Sequence, residues 1–287
     1  MAIARDKFWL FGVRAHQDDV WLGPAGPDSN RKFFYSRITP AEGAFILDVP
    51  NLVMVICDGE PANFSHDAYG YAESFCRLKN VQWSCSGSGG FRSGNEEEFV
   101  CRLAEEYPNI CGAYLDDFID EPYIRAAGDD RQELARRAKQ RLEEISGKLA
   151  KATRPMDLHC VYYSHVYGDL DPSVFEKVTM LSMWTWNSAE IPNMEKNFVE
   201  LERRFPDKKK MIGLYMFDFS AGHPIPNELM QHQCEFGLRM LQEGRADGLI
   251  FEANSLMGMR MESELWLRKW IEEHKNTPVP DGYSINR

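Results

Sequence analysis

Residues 112–122, GAYLDDFIDEP, are the most informative stretch for the fold, because they contain a short apolar run and show how it ends. A short apolar run stops at two adjacent carboxylates, Asp116 and Asp117, and Asp120 and Glu121 follow closely. Like charges this close repel each other, and burying them is costly unless they are paired or used. We therefore expect a strand that ends at a functional site, with Asp120 and Glu121 in a solvated loop.

Seven further short apolar runs occur along the 287-residue chain, and stretches with helical periodicity lie between them. This alternation is typical of βα units in a parallel sheet. The eight candidate strands are residues 8–14, 52–58, 81–86, 112–117, 158–165, 178–186, 211–218 and 248–252. Their number and spacing predict an α/β protein with a (β/α)8 TIM-barrel fold, in which residues 1–287 form a single domain. A doubly wound open sheet is the alternative, but no glycine-rich phosphate fingerprint follows the first strand.

The charge and cysteine content narrow the classes of partner. The net charge is −11 and no long basic block occurs, so neither nucleic acid nor an anionic membrane surface is an expected partner. The apolar runs are too short to span a bilayer. The seven cysteines are scattered without a CxxC pair. They predict reduced thiols and a cytoplasmic location.

Polar or aromatic side chains follow nearly every predicted strand, which is where barrels build their active sites. The tryptophans among them suit stacking on the apolar faces of sugars, and the polar groups suit hydrogen bonds to hydroxyls. The residues expected to bind substrate are His16, Asp18, Asp19, Asp58, Arg92, His165, Trp184, Trp186 and Asn187. Some have a structural alternative: Asp58 could start a turn in DGEP, and Asp18 and Asp19 could cap a loop.

Four carboxylates at predicted strand ends are the catalytic candidates: Asp116, Asp117, Asp218 and Glu252. Side chains two residues apart on a strand share a face. The alternation therefore places Asp116 on the inner face with Tyr114, Asp117 at the rim, and Asp218 on an inner face with Leu214 and Met216. Asp58 and Glu252 are likewise expected to point inward. A carboxyl group held protonated and a second one held ionised are the working parts of most glycoside hydrolases. Clustering and burial raise at least one carboxyl pKa, which supplies the acid.

The chain resembles the wider group of glycoside hydrolase-like (β/α)8 barrel proteins. Four segments carry the resemblance: YLDDF (114–118), GLYMFDF (213–219), GRADGLIFEANS (244–255) and WLRKWI (266–271). The resemblance implies a carbohydrate substrate with a glycosidic bond, and Asp116 or Asp117 as general acid/base. The chain departs from the patterns of two groups of glycosidases. It lacks the Asn-Glu pair that the largest glycosidase clan has on strand four, and it lacks the spaced DxxDxDxE of chitinase-like barrels. Strand seven offers Asp218 where a glutamate is common.

Two other functions remain open. A metal-dependent sugar isomerase or epimerase would gather carboxylates and imidazoles around a divalent cation, and the candidate ligands are Asp58, Asp116, His165, Asp218 and Glu252. No HxH or HExxH motif occurs, so the preferred expectation is an enzyme without a cofactor or metal. A carbohydrate-binding barrel without turnover is the third possibility.

Overall fold

The computed structural model describes residues 1–22, 36–163 and 168–281. Eight parallel strands form a closed barrel in which each strand pairs with the next along the chain and the last pairs with the first. The predicted (β/α)8 barrel is thereby confirmed. Its strands are β1 (Phe8–Gly12), β2 (Asn51–Met54), β3 (Asn80–Ser86), β4 (Ile110–Leu115), β5 (Asp157–Tyr162), β6 (Met180–Met183), β7 (Lys209–Tyr215) and β8 (Gly248–Glu252).

Helices alternate with these strands, and capping side chains define several of their starts. The Thr39 hydroxyl accepts a hydrogen bond from the Glu42 N–H (3.4 Å), and the Glu42 carboxylate accepts one from the Thr39 N–H (2.8 Å). The longer helices in the described residues are α1 (Pro40–Leu47), α2 (His66–Ser74), α3 (Glu96–Glu106), α4 (Arg131–Leu149), α5 (Met194–Arg204), α6 (Asn227–Gln242) and α7 (Glu262–His274). Among the described residues, no helix combines the length and the apolarity that a bilayer crossing requires.

The described residues divide into two compact units. The first unit comprises those within 1–52, 184–199 and 211–282, and the second comprises those within 53–183 and 200–210. A single domain stays a prediction.

Several strands end earlier than the sequence predicted. β2 ends at Met54 instead of residue 58, β6 at Met183 instead of residue 186, and β7 at Tyr215 instead of residue 218. The reason is visible after β2, where the Cys57 and Glu60 backbones bond to each other and close a turn. The polar residues that the sequence placed at the ends of these three strands therefore lie beyond the barrel strands.

The inner face predicted for strand seven is wrong by one residue. Leu214 lies beside Phe251 in the β7–β8 register, and the Phe251 ring packs 6.5 Å from Trp270 of α7. Leu214 therefore faces the helices. Gly213 lies on the opposite face, where a Cβ would come within 2.0 Å of the Trp184 ring. Leu214 and Met216 are apolar, as residues on an inner face would be. The alternation alone therefore could not decide which face of strand seven points into the barrel.

The second unit has a polar inner face. Trp83 packs 5.5 Å from Phe99 of α3, which places the preceding Gln82 on the other side of β3. There, His159 Nδ1 lies 2.6 Å from Gln82 Oε1, and the Tyr114 ring meets the His159 ring edge-on at 4.8 Å. Burial lowers the pKa of His159 to about 3, so this imidazole is neutral. Tyr114 faces inward, as the alternation predicted for β4.

Candidate active site

Asp116 directly follows β4, and its backbone is fixed to the neighbouring strand. The Asp116 N–H donates to the Ser86 carbonyl oxygen (2.8 Å), and the Ser86 hydroxyl donates to the Asp116 carbonyl oxygen (2.8 Å). Only 6% of the residue is exposed. The carboxyl group therefore extends from a rigid strand end into a mostly dry environment.

Asp117 turns the chain sharply after this strand. Its φ of 41° lies in the left-handed region, which aspartate tolerates better than most residues. Its two carboxylate oxygens accept hydrogen bonds from the Gly89 N–H (2.9 Å) and from the Tyr163 hydroxyl (3.2 Å). Asp117 is half-buried, and these donors fix the orientation of its carboxyl group.

The glycine-rich segment after β3 makes the Gly89 contact possible. A Cβ on Gly90 would come within 2.2 Å of the Glu121 backbone nitrogen, and its φ of +72° is left-handed. Glycine is therefore required there for the segment to pack against the loop after β4. This packing brings the Gly89 N–H to the Asp117 carboxylate.

The acid pair (Asp116 and Asp117) has raised pKa values. Burial raises the Asp116 pKa well above its usual range, and the adjacent Asp117 charge raises it further. Burial also raises the Asp117 pKa, while the hydrogen bonds from Gly89 and Tyr163 act in the opposite direction. Of the two groups, Asp116 is thus better suited to hold a proton and Asp117 to be ionised.

Asp218 in the first unit has the opposite chemistry. It is 1% exposed, and burial by itself would raise its pKa. However, its carboxylate accepts hydrogen bonds from the Ser188 N–H (3.0 Å), the Ser220 hydroxyl (2.6 Å) and the Ala221 N–H (2.9 Å). These donors outweigh burial and lower the Asp218 pKa to about 2. Asp218 is therefore a firmly ionised group that ties two loops together.

The two tryptophans that follow β6 differ in exposure. Trp184 is 3% exposed and packs on the Gly213 backbone, with the Tyr215 ring 5.0 Å away. Trp186 is 40% exposed and stacks on Phe219 with ring centroids 5.7 Å apart and planes 16° from parallel. Of the two, Trp186 has the surface available for a ligand.

The loops after β1 and β8 in the first unit meet through a buried hydrogen bond. The Ser255 hydroxyl donates to the Asp18 carboxyl group, and burial raises the Asp18 pKa to about 6. His16 Nδ1 lies 3.0 Å from Asp19 Oδ2. Glu252, the last residue of β8, is half-buried.

The other predicted site residues have local structural roles or lie elsewhere. The Arg92 side chain is 7% exposed and donates to the Glu97 carboxylate (2.5 Å) and to the Cys85 carbonyl oxygen. Asp58 has a left-handed φ of 53° in the exposed turn after β2, which matches its structural alternative. The Asn187 side chain caps a short turn by accepting from the Ala189 N–H (2.9 Å). His165 lies outside the described residues.

The expectation for Glu121 was wrong, and one contact was missed. Glu121 is 4% exposed and pairs with Arg141 of α4 at 2.8 Å, so it is not a solvated loop residue, whereas Asp120 is exposed as expected. Tyr163 was not among the predicted site residues, although it follows β5 directly. Its position at a strand end was the available signal, but its bond to Asp117 spans 46 residues.

No group of three or more His, Cys, Asp or Glu side chains in residues 1–22, 36–163 and 168–281 is arranged to hold a metal ion. The ligand set considered for a sugar isomerase includes His165, which is outside these ranges. The second unit brings together two predicted residues, Asp116 and Asp117. Two groups that were not predicted, the Gly89 N–H and the Tyr163 hydroxyl, bond to Asp117.

Comparison with known proteins gives a likeness in structure alone. No family model and no curated protein matches the chain. Among solved structures, the GH99 endo-alpha-mannosidase from Bacteroides thetaiotaomicron is 8% identical, with a TM-score of 0.54 over 94% of this chain and 97% of that chain. The beta-galactosidase from the psychrophilic Marinomonas ef1 is 9% identical, with a TM-score of 0.60 over 93% and 59%. The alpha-L-arabinofuranosidase from Thermotoga maritima is 11% identical, with a TM-score of 0.51 over 94% and 71%.

These identities are too low to transfer an activity, so the likeness establishes the fold. The chain has a TIM barrel, the fold that these three solved structures share. This agrees with the resemblance drawn from the four sequence segments.

Proposed function

We propose that the protein hydrolyses a glycosidic bond in a carbohydrate, with the acid pair as its acid/base machinery. The observation that carries the proposal is the pair of adjacent carboxyl groups after β4, buried Asp116 and half-buried Asp117, in which both pKa values are raised. The fold shared with an endo-alpha-mannosidase and a beta-galactosidase supports a carbohydrate ligand.

In this mechanism Asp116 is the general acid. It gives its proton to the glycosidic oxygen as the bond from that oxygen to the anomeric carbon breaks. The leaving sugar departs as an alcohol, and a water molecule supplies the hydroxyl group that adds to the anomeric carbon. The Asp117 carboxylate, oriented by Gly89 and Tyr163, takes the proton that this water loses. Exchange with solvent then returns a proton to Asp116.

Asp218 does not serve as the acid in this proposal, because its pKa of about 2 keeps it ionised and three donors occupy its oxygens. The participation of Glu252 remains a prediction, which the Glu252→Gln variant tests by its turnover. No observation favours the metal-dependent isomerase.

Release of reducing sugar from a panel of unactivated disaccharides tests the proposal, with α- and β-linked mannose, galactose and glucose and with α-L-arabinofuranose as the glycosyl group. We expect the wild type to hydrolyse at least one substrate and Asp116→Asn to lose this activity, because a sugar alkoxide cannot leave without a proton. Asp120→Asn is the matched control, since Asp120 is an exposed acid in the same loop. Equal turnover by Asp116→Asn would remove the acid pair from the mechanism. Oligosaccharide binding without any turnover by the wild type would favour the non-catalytic barrel instead.

A further inference from the structure

The loop after β6 and the loop after β7 are joined at two adjacent points in the first unit. Trp186 stacks on Phe219, and Ser188, two residues further along, donates its N–H to Asp218 at 3.0 Å. Asp218 and Phe219 are neighbours, so the hydrogen bond and the ring stack belong to one junction. The Tyr215 ring meets the Trp186 ring at 6.0 Å and 87°.

The Asp218 carboxylate also fixes its own loop. The Ser220 hydroxyl and the Ala221 N–H donate to one carboxylate oxygen, while Ser188 donates to the other. The Gly222 N–H donates to the Asp218 carbonyl oxygen (2.8 Å), and the short strands Phe217–Asp218 and His223–Pro224 pair with each other. A charged acceptor with several donors makes stronger bonds than neutral pairs do. The loop that carries Phe219 is therefore rigid.

This junction leaves a large aromatic surface open. Phe219 covers one side of the Trp186 indole, yet 40% of Trp186 is exposed. A tryptophan held by neighbouring rings is a rigid apolar platform that loses little conformational entropy when a ligand stacks on it.

We infer that Trp186 is a stacking subsite for a pyranose ring that presents a face of axial C–H bonds, and that Asp218 is the residue that positions it. This inference rests on the carbohydrate ligand of the proposed function. It assigns Asp218 to ligand binding, where the sequence placed it among the catalytic carboxylates. A gluco-configured ring, whose hydroxyls are equatorial, fits this surface best because its two faces are apolar.

Calorimetric titration with cellotetraose and chitotetraose tests the subsite, in an Asp116→Asn background that prevents turnover. We expect Trp186→Ala to weaken binding about tenfold, as expected for losing the burial of an aromatic face. Trp186→Phe keeps a ring and should retain most of the affinity. Trp266→Ala is the matched control, because Trp266 is a half-buried tryptophan stacked on Trp270 (6.4 Å) in α7. Unchanged binding by Trp186→Ala would overturn the subsite.

The role of Asp218 has its own readout. Asp218→Asn should weaken binding about three- to tenfold, since one loop loses its charged acceptor. The affinity measured in the Asp116→Asn background should stay constant as the pH rises from 4, because Asp218 is ionised throughout. Wild-type affinity in Asp218→Asn would overturn the positioning role. These titrations do not require turnover, so an inactive wild type that binds through Trp186 would contradict the proposed hydrolysis and leave the subsite standing.

Discussion

Asp116 and Asp218 are both buried aspartates that follow strands of the barrel, yet their chemistry is opposite. Asp116 has the charged Asp117 as its neighbour, and its pKa is raised well above the usual range. Asp218 has three hydrogen-bond donors on its carboxylate, and its pKa is lowered to about 2. Burial favours the neutral form of both, so the donors decide the outcome. Asp116 is therefore suited to donate a proton, whereas Asp218 is an anion that connects two loops through its hydrogen bonds.

Removing the Asp116 carboxyl group should have the largest effect on turnover. Asp116→Asn cannot donate a proton, so we expect kcat to fall by about 100- to 10,000-fold. The Asp218→Asn variant should mainly raise KM, because it acts on a ligand-binding loop. Steady-state kinetics on the best substrate of the glycoside panel measures both. A larger loss of kcat in Asp218→Asn than in Asp116→Asn would reverse the assigned roles.

Removing the Asp218 charge should have the larger effect on stability. Asp218→Asn weakens hydrogen bonds to a buried anion, and we expect about 1.5–3 kcal/mol less free energy of unfolding at neutral pH. Asp116→Asn removes a buried carboxyl group whose ionisation is unfavourable, so its unfolding free energy should be unchanged or higher. Urea unfolding monitored by circular dichroism checks this order. Equal losses in the two variants would contradict it.

The pH dependence of stability should have opposite signs at the two sites. A lowered pKa, as at Asp218, contributes stability that is present above the unfolded value near 4 and is lost as the pH falls towards about 2. A raised pKa, as at Asp116, contributes stability that is full at low pH and is lost as the pH rises through the folded pKa. Wild-type minus Asp116→Asn unfolding free energies should therefore decrease with pH, by up to about 1.4 kcal/mol per unit. A difference that does not change with pH would contradict the raised pKa.

The smallest effect is expected at Tyr163. Tyr163→Phe removes a hydrogen bond that lowers the Asp117 pKa, so the activity limb that requires ionised Asp117 should move to higher pH. We expect about a threefold loss of kcat on the acidic side. Tyr123→Phe is the control, because its hydroxyl bonds to Gln140 at 2.9 Å on the exposed surface of α4. An unchanged profile in Tyr163→Phe would remove Tyr163 from the mechanism.

The fold was predictable because strand and helix periods are local. The eight strands and the inward face of Tyr114 follow from the pattern of apolar residues. The face of strand seven did not, since Leu214 is apolar although it lies on the side that faces the helices. The fate of each carboxylate also depended on distant donors. Ser188 is 30 residues from Asp218, and Tyr163 is 46 residues from Asp117, so no local motif predicts which aspartate is ionised.

Carboxyl carbon chemical shifts, measured by NMR in protein labelled with 13C-aspartate, test the central claim most directly. The Asp116→Asn, Asp117→Asn and Asp218→Asn variants assign the three resonances. We predict that the Asp218 carboxyl group is already ionised at pH 4, and that the acid pair titrates well above the ordinary aspartate value of about 3.9. Titration of both Asp116 and Asp117 at or below that ordinary value would contradict the account.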